Sequence, residues 1–225
     1  MEFYMARFGY SQMKEKYEKL FDYYKNSAGE LVKPFCFDDM KRELPDEYDE
    51  ISGYLMCQLL EFFSKAVRLI SEDEYLDSAD YIYERVVHEA FDTTFGGYYE
   101  TLSGEGKVLS ERKILETQFM AMVSLAEYAC AKKISGDEEY HYTAVLNRAL
   151  AVYTMLNHYA LIKDTKAFYK VMNKDWSPVE GSEDAEVGKT VAEAYRLLYA
   201  DLAFIDSKAT GTLQLISSTV KQLKA

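Results

Sequence analysis

Apolar positions recur at a helical period along most of this chain. Between residues 3 and 25, Phe3, Met5, Phe8, Met13, Tyr17, Leu20, Phe21 and Tyr24 fall at that spacing. Asn26-Ser27-Ala28-Gly29 ends the segment, and Leu31 to Phe37, interrupted by Pro34, reads as a loop or edge strand. A second helix is predicted from about Glu50 to Ile70, with Tyr54, Leu55, Leu59, Phe62, Phe63, Val67 and Ile70 facing inward. Acids in Ser71-Glu72-Asp73-Glu74 load the first turn of a third, which runs through Leu76, Ala79, Ile82, Tyr83, Val86 and Ala90. Four more are predicted at about 110–134, 138–160, 184–205 and 210–224. Ser110 opens the first of these, with Glu111 in its first turn, and Ser182-Glu183-Asp184 caps the third.

Two aromatic loops interrupt the helices. The first carries Gly96-Gly97-Tyr98-Tyr99, a tight reversal followed by an extended run, and then a second turn at Gly104-Glu105-Gly106. The second holds Phe168, Tyr169, Met172, Trp176 and Pro178. They lie roughly 75 residues apart, each between a pair of helices, which is the period of a helical-hairpin array. A lone hairpin cannot bury its apolar stripe, so such units stack. The expectation is one all-α domain over residues 1–225, built of about seven helices in stacked hairpins.

Composition narrows the function. At 225 residues, with 48% hydrophobic and 15% aromatic content and only 3 prolines, the chain has ample material for one helical core. A net charge of -12 argues against nucleic acid, whose phosphates need Lys and Arg. No run approaches the ~18 apolar residues of a membrane span, and no basic, then apolar, leader opens the chain. A soluble intracellular protein, cytoplasmic or organellar, is expected. Cys36, Cys57 and Cys130 lack CxxC spacing and read as buried thiols in a reducing compartment. No metal or cofactor is expected. His88, His141 and His158 form no i,i+4 pair and read as helix-end residues, and no GxGxxG, Walker, HExxH or GxSxG pattern occurs.

The loop residues resemble those of a known family. Phe91-Asp92, Phe95-Gly96-Gly97-Tyr98-Tyr99, Gly104-x-Gly106-Lys107, Arg112-Lys113 and Gln118-Phe119 are similar, in that order, to the N-acylglucosamine 2-epimerase family, which includes the cellobiose 2-epimerases. Phe168-x-x-x-Met172-Asn173-Lys174-Asp175-Trp176-Ser177-Pro178 and Glu193-Ala194 continue the match, ungapped from Asp175 to Ala194. The matching stretches run from about Asp73 to Ala203. The resemblance implies an (α/α)6 barrel with a sugar pocket at one mouth, of which this chain, about half the family's length, would form part. It also implies candidate sugar contacts at Tyr98, Tyr99, Arg112, Gln118 and Trp176, side chains that would equally serve to pack one loop on its neighbour.

Epimerisation beside a carbonyl needs a base to take a proton and an acid to return it. Where the family carries a histidine after the Asp-Trp-Ser-Pro segment, this sequence has Thr190; Glu183 replaces an arginine, and Ala185-Glu186 replace polar amides. The expectation is therefore a non-catalytic, epimerase-like structural or assembly subunit. It would have protein partners or form a homo-oligomer, with Phe3, Tyr4, Met5 and Phe8 as candidate contacts. The alternatives are an active sugar 2-epimerase or isomerase and a carbohydrate-binding module.

Overall fold

The computed structural model describes residues 50–70, 73–103 and 106–224. The predicted helix over 3–25 with Phe3, Tyr4, Met5 and Phe8, the run 31–37, and Cys36 lie outside the described residues.

Six α-helices are found among the described residues: α1 (Gly53–Ile70), α2 (Asp73–Arg85), α3 (Leu115–Ile134), α4 (Glu139–Met155), α5 (Gly188–Ile205) and α6 (Thr210–Lys224). They pair as three hairpins, α1/α2, α3/α4 and α5/α6. Successive hairpins join through α1, α3 and α5, which form one row with α3 at its centre. The sequence of α3 explains that place. Of its residues, Leu115 and those from Thr117 to Ala131 other than Met120 are buried, and a helix that is apolar nearly all round has to be enclosed. Its alanines, Ala121, Ala126 and Ala129, let neighbouring helices approach closely.

The inward face of α1 keeps the expected Phe63 and Val67, with Leu59 and Phe62 packed against the core, and is broader than expected. Met56, Cys57, Leu60, Phe63, Ala66 and Val67 are buried, whereas Leu55 is 40% exposed. Adjacent helical positions point about 100° apart, so a buried face wide enough to enclose both Leu60 and Phe63 also takes in Met56 and Cys57 and leaves Leu55 at its edge. Cys57 and Cys130 are buried free thiols, as expected.

Helices α2 and α4 each finish in a π-helical turn, Val86–Ala90 and Leu156–Ala160, before a β-containing loop. In the first loop β2 (Thr101–Ser103) pairs with both β1 (Glu50–Ser52) and β3 (Val108–Ser110). In the second, β6 (Ala167–Tyr169) pairs with β5 (Leu161–Ile162) and β8 (Glu183–Asp184). Corresponding pairs stand 70 positions apart, Phe91↔Tyr98 against Leu161↔Phe168. Strands β4 (Lys113–Ile114) and β7 (Val171–Met172) pair across the loops, Lys113↔Met172 and Ile114↔Val171.

Two expected caps are corrected by this pairing. Ser110 ends β3 and does not open a helix; α3 begins at Leu115 behind Ile114, with Glu116 in its first turn. The Ser182 hydroxyl donates to Val179 O and Val171 O, Glu183–Asp184 form β8, and α5 starts at Gly188 behind Val187. No described helix is long and apolar enough to cross a membrane.

Candidate functional site

The two loops meet at the N-terminal ends of α3 and α5. The Asp92 carboxylate organises the first loop. Its Oδ1 accepts from the Thr94 and Phe95 N–H groups at 2.8 and 3.1 Å, an Asx-type turn. Its Oδ2 accepts from Lys113 Nζ at 2.8 Å, and both side chains are fully buried. The ammonium also lies 4.4 Å from the centre of the Tyr99 ring. Burial alone would raise the Asp92 carboxyl, but Lys113 and the two N–H groups hold it below the usual carboxylate range. Burial pulls Lys113 down, against the opposing pull of Asp92.

Tyr98 is fully buried. Its N–H donates to Gln118 Oε1 at 2.8 Å, and its carbonyl accepts from Gln118 Nε2 at 2.7 Å. One amide side chain from α3 thus satisfies both backbone groups of a loop residue, as a neighbouring strand would. Gly97 precedes it with φ +77°, and a Cβ there would come 2.5 Å from Trp176 Cζ2 and 2.8 Å from Gln118 Oε1. Gly97 is where the loops interlock.

Trp176 comes to that point on a turn held by its neighbours. Asp175 Oδ1 accepts from the Ser177 N–H at 3.0 Å and the Ser177 hydroxyl at 2.6 Å, while the Trp176 N–H donates to Asn173 O at 2.9 Å. This places Trp176 at φ +67°, unusual for a bulky side chain, and the strain is offset by its burial. The indole N–H is shared between Phe95 O at 3.1 Å and Gly96 O at 3.3 Å. Its ring stacks on Tyr159 with centroids 5.7 Å apart; Tyr159 is 44% exposed, and Phe95 is exposed as well.

Of the five candidate side chains, Tyr98, Gln118 and Trp176 converge around Gly97, and Tyr99 lies against Lys113 in the same loop. Arg112 is exposed between β3 and β4, and among the described residues no hydrogen bond or ion pair joins it to this group. The Asp92–Lys113 pair and Tyr159 were not among the candidates. Asp92 and Lys113 both fall in the family-like segments, so that signal was present; Tyr159 had none.

Thr190 and Glu193 lie on the exposed face of α5. Glu193 is bound by Arg196, whose Nη2 donates at 2.6 Å and Nε at 3.1 Å, and that contact lowers its carboxyl from the ordinary value. His141 Nδ1 stands 3.0 Å from Asp137 Oδ1 at the start of α4, and the His158 ring packs edge-on against Tyr159. Among the described residues no three His, Cys, Asp or Glu side chains gather as metal ligands would.

No protein-family model matches the chain. It is 25% identical over 146 residues to a cellobiose 2-epimerase of Dictyoglomus turgidum, covering 64% of this chain and 34% of that protein. It is 33% identical over 85 residues to the cellobiose 2-epimerase of Ruminococcus albus, 38% of this chain and 21% of that protein. The cellobiose 2-epimerase structure from Spirochaeta thermophila superposes with a TM-score of 0.66 at 18% identity, over 94% of this chain and 53% of that one. A family 76 glycoside hydrolase from Bacteroides thetaiotaomicron shares the fold at a TM-score of 0.60 and 12% identity, over 77% of this chain and 35% of that one. The chain thus spans about a third or less of the curated relatives it matches and about half of the epimerase structure. The chain is thus similar in sequence to part of the cellobiose 2-epimerases and shares the helical-hairpin fold of their (α/α)6 toroid.

Proposed function

We propose that the chain is a carbohydrate-recognising part of an epimerase-type toroid, which holds a neutral sugar at its loop junction without epimerising it. The sequence similarity to cellobiose 2-epimerases carries the sugar half of this reading. Tyr159, exposed and backed by the buried Trp176, offers a ring face on which a sugar stacks, and the exposed Phe95, whose carbonyl accepts the Trp176 indole N–H, belongs to the same junction. Tyr98 and Gln118 fix the loop that carries Phe95.

The non-catalytic half rests on α5. C2 epimerisation removes the proton next to a carbonyl and returns it to the opposite face, which calls for groups that exchange protons near neutrality. Thr190 stands at the histidine position, and a hydroxyl does not take up that proton. Glu193, at the family's Glu-Ala position, is held by Arg196 as a carboxylate of lowered basicity.

The test is to incubate the purified chain with cellobiose, and separately with an N-acylglucosamine, in D2O and follow the sugars by NMR. Saturable binding with the C2 hydrogen retained is the expected result, and Tyr159→Ala should abolish binding while leaving the fold intact. Exchange of the C2 hydrogen would overturn the non-catalytic reading. Absence of binding would overturn the sugar reading.

A second reading, an assembly subunit, is favoured by the last hairpin. Tyr199 and Phe204 on α5 and Leu215 on α6 are 38%, 44% and 59% exposed, on the hairpin that ends the described row. Light scattering on the full chain should then give a particle larger than one copy; a stable monomer would count against it.

A further inference from the structure

A concave site lies beside the second loop, lined in part by His158, whose ring packs on Tyr159. A cavity of about 600 Å³ opens between the end of α4, the π-helical turn after it, the β5 hairpin and the C-terminal half of α6. That volume is within the range of small-molecule pockets. In a chain whose acids outnumber its bases 38 to 26, no carboxylate of the described residues lines this cavity, whereas Lys163 and Lys166 both do. The two lysines occupy the tip between β5 and β6, which is closed by the Lys166 N–H donating to Ile162 O at 2.8 Å. Lys166 is held at φ +59°, a conformation that glycine or asparagine adopts far more readily. Energetically disfavoured backbone at a cavity edge is a recurrent mark of a ligand contact.

The wall between α4 and α6 has a different character. Tyr153 is buried, and its hydroxyl meets Thr219 Oγ1 at 2.9 Å, tying the two helices together. Asn157 and Gln222 add amide groups beside this wall, and Asn157 is oriented by donation from Nδ2 to Tyr153 O at 2.8 Å. Amides and hydroxyls beside an aromatic ring suit a polyhydroxylated body, and two ammonium groups at one rim suit an anion.

We propose that this cavity binds a sugar bearing an anionic group, a phosphate or a carboxylate. Lys163 and Lys166 take the charge, and the Tyr153–Asn157–Gln222 wall takes the ring. This site is independent of the neutral-sugar reading of the loop junction, and either stands if the other fails.

Calorimetric titration of the full chain at low ionic strength tests it, with glucose 6-phosphate, glucuronate, glucose and inorganic phosphate as probes. At least one of the two anionic sugars is expected to bind at least tenfold more tightly than either glucose or inorganic phosphate. Which one does so identifies the anion. The double variant K163E/K166E should weaken that binding at least tenfold, and K208E, on the turn between α5 and α6, should leave it unchanged. Both cavity lysines are exposed, so the melting temperature should hold. Should charge reversal disturb the fold, K163Q/K166Q gives the same comparison. Failure of both anionic sugars to bind at millimolar concentration overturns the proposal. So does equal binding of phosphate or glucose, or binding that ignores the lysine substitutions.

Discussion

Gly97 has no side chain, and two neighbours have taken the room. Replacing it with alanine drives a methyl group against the Trp176 ring and Gln118 Oε1 and also forces an L-residue to φ +77°. The loss of stability should be about 2–4 kcal/mol, read from denaturant unfolding. Gly136 separates the two causes. It has φ +81° but nothing within 4 Å of a built Cβ, so Gly136→Ala should cost only about 1 kcal/mol. Equal losses at the two positions would show that the interlock contributes nothing. The buried Lys113 gives a second residue-scale expectation. Lys113→Met strands the Asp92 carboxylate and should cost about 3–5 kcal/mol, much of which the double variant Lys113→Met/Asp92→Asn should restore, since no orphaned charge remains. A double variant as unstable as the single one would mean that packing, not charge, is what Lys113 supplies.

At the scale of elements, the fold depends on how the two loops are fastened to the helices. Gln118→Leu keeps most of the side-chain volume but leaves the Tyr98 N–H and C=O without their partner. The expected loss is about 2–4 kcal/mol, with faster hydrogen exchange at the Tyr98 amide. Unchanged exchange there would show that the loop is held by other contacts. The helices themselves were legible in the sequence because the 3.6-residue period is a local property. The starts of α3 and α5 were not. Ser110 and Asp184 look like first-turn residues, but each belongs to a strand, and the partners of those strands sit elsewhere in the chain. The pairing of Lys113 with Met172 leaves no mark on the local pattern around either residue. The same holds for the Phe95 and Gly96 carbonyls, which receive the indole N–H of a residue about eighty positions later.

Across the whole molecule, α1, α3 and α5 are joined about three to four helical turns from the loops by a cluster of charges. Arg68 Nη1 donates to Glu127 Oε1 at 2.8 Å and to Asp201 Oδ1 at 3.3 Å. One guanidinium serves two buried carboxyl groups. Burial pushes Asp201 up to about 7, the Glu127 charge adds to the rise, and Arg68 opposes it. Glu127 is raised for the same first reason. In the folded state Asp201 therefore stays protonated up to about pH 7, whereas in the unfolded chain it loses its proton near 3.8. The folded state binds more protons between these values, so the contribution of this group to stability falls as pH rises from about 4 to about 7 and then levels. Asp201→Asn should flatten that part of the profile and narrow the difference between pH 5 and pH 8 by roughly 1–3 kcal/mol. A wild-type stability that rises across this window through the same residue would contradict the assignment.

The sequence by itself determined the helical hairpins, their repeat and the lineage, because helical periodicity and loop motifs are written in neighbouring residues. It also held the site's raw material, since Gly97, Tyr98, Gln118 and Trp176 all fall within those motifs. Only the tertiary structure decided that Lys113 buries its charge on Asp92, that Tyr159 covers Trp176, and that Arg68 meets an aspartate 133 positions away. These contacts depend on which helix faces and strand edges come together once the hairpins have stacked, and that is set by the packing of the three hairpins as a whole.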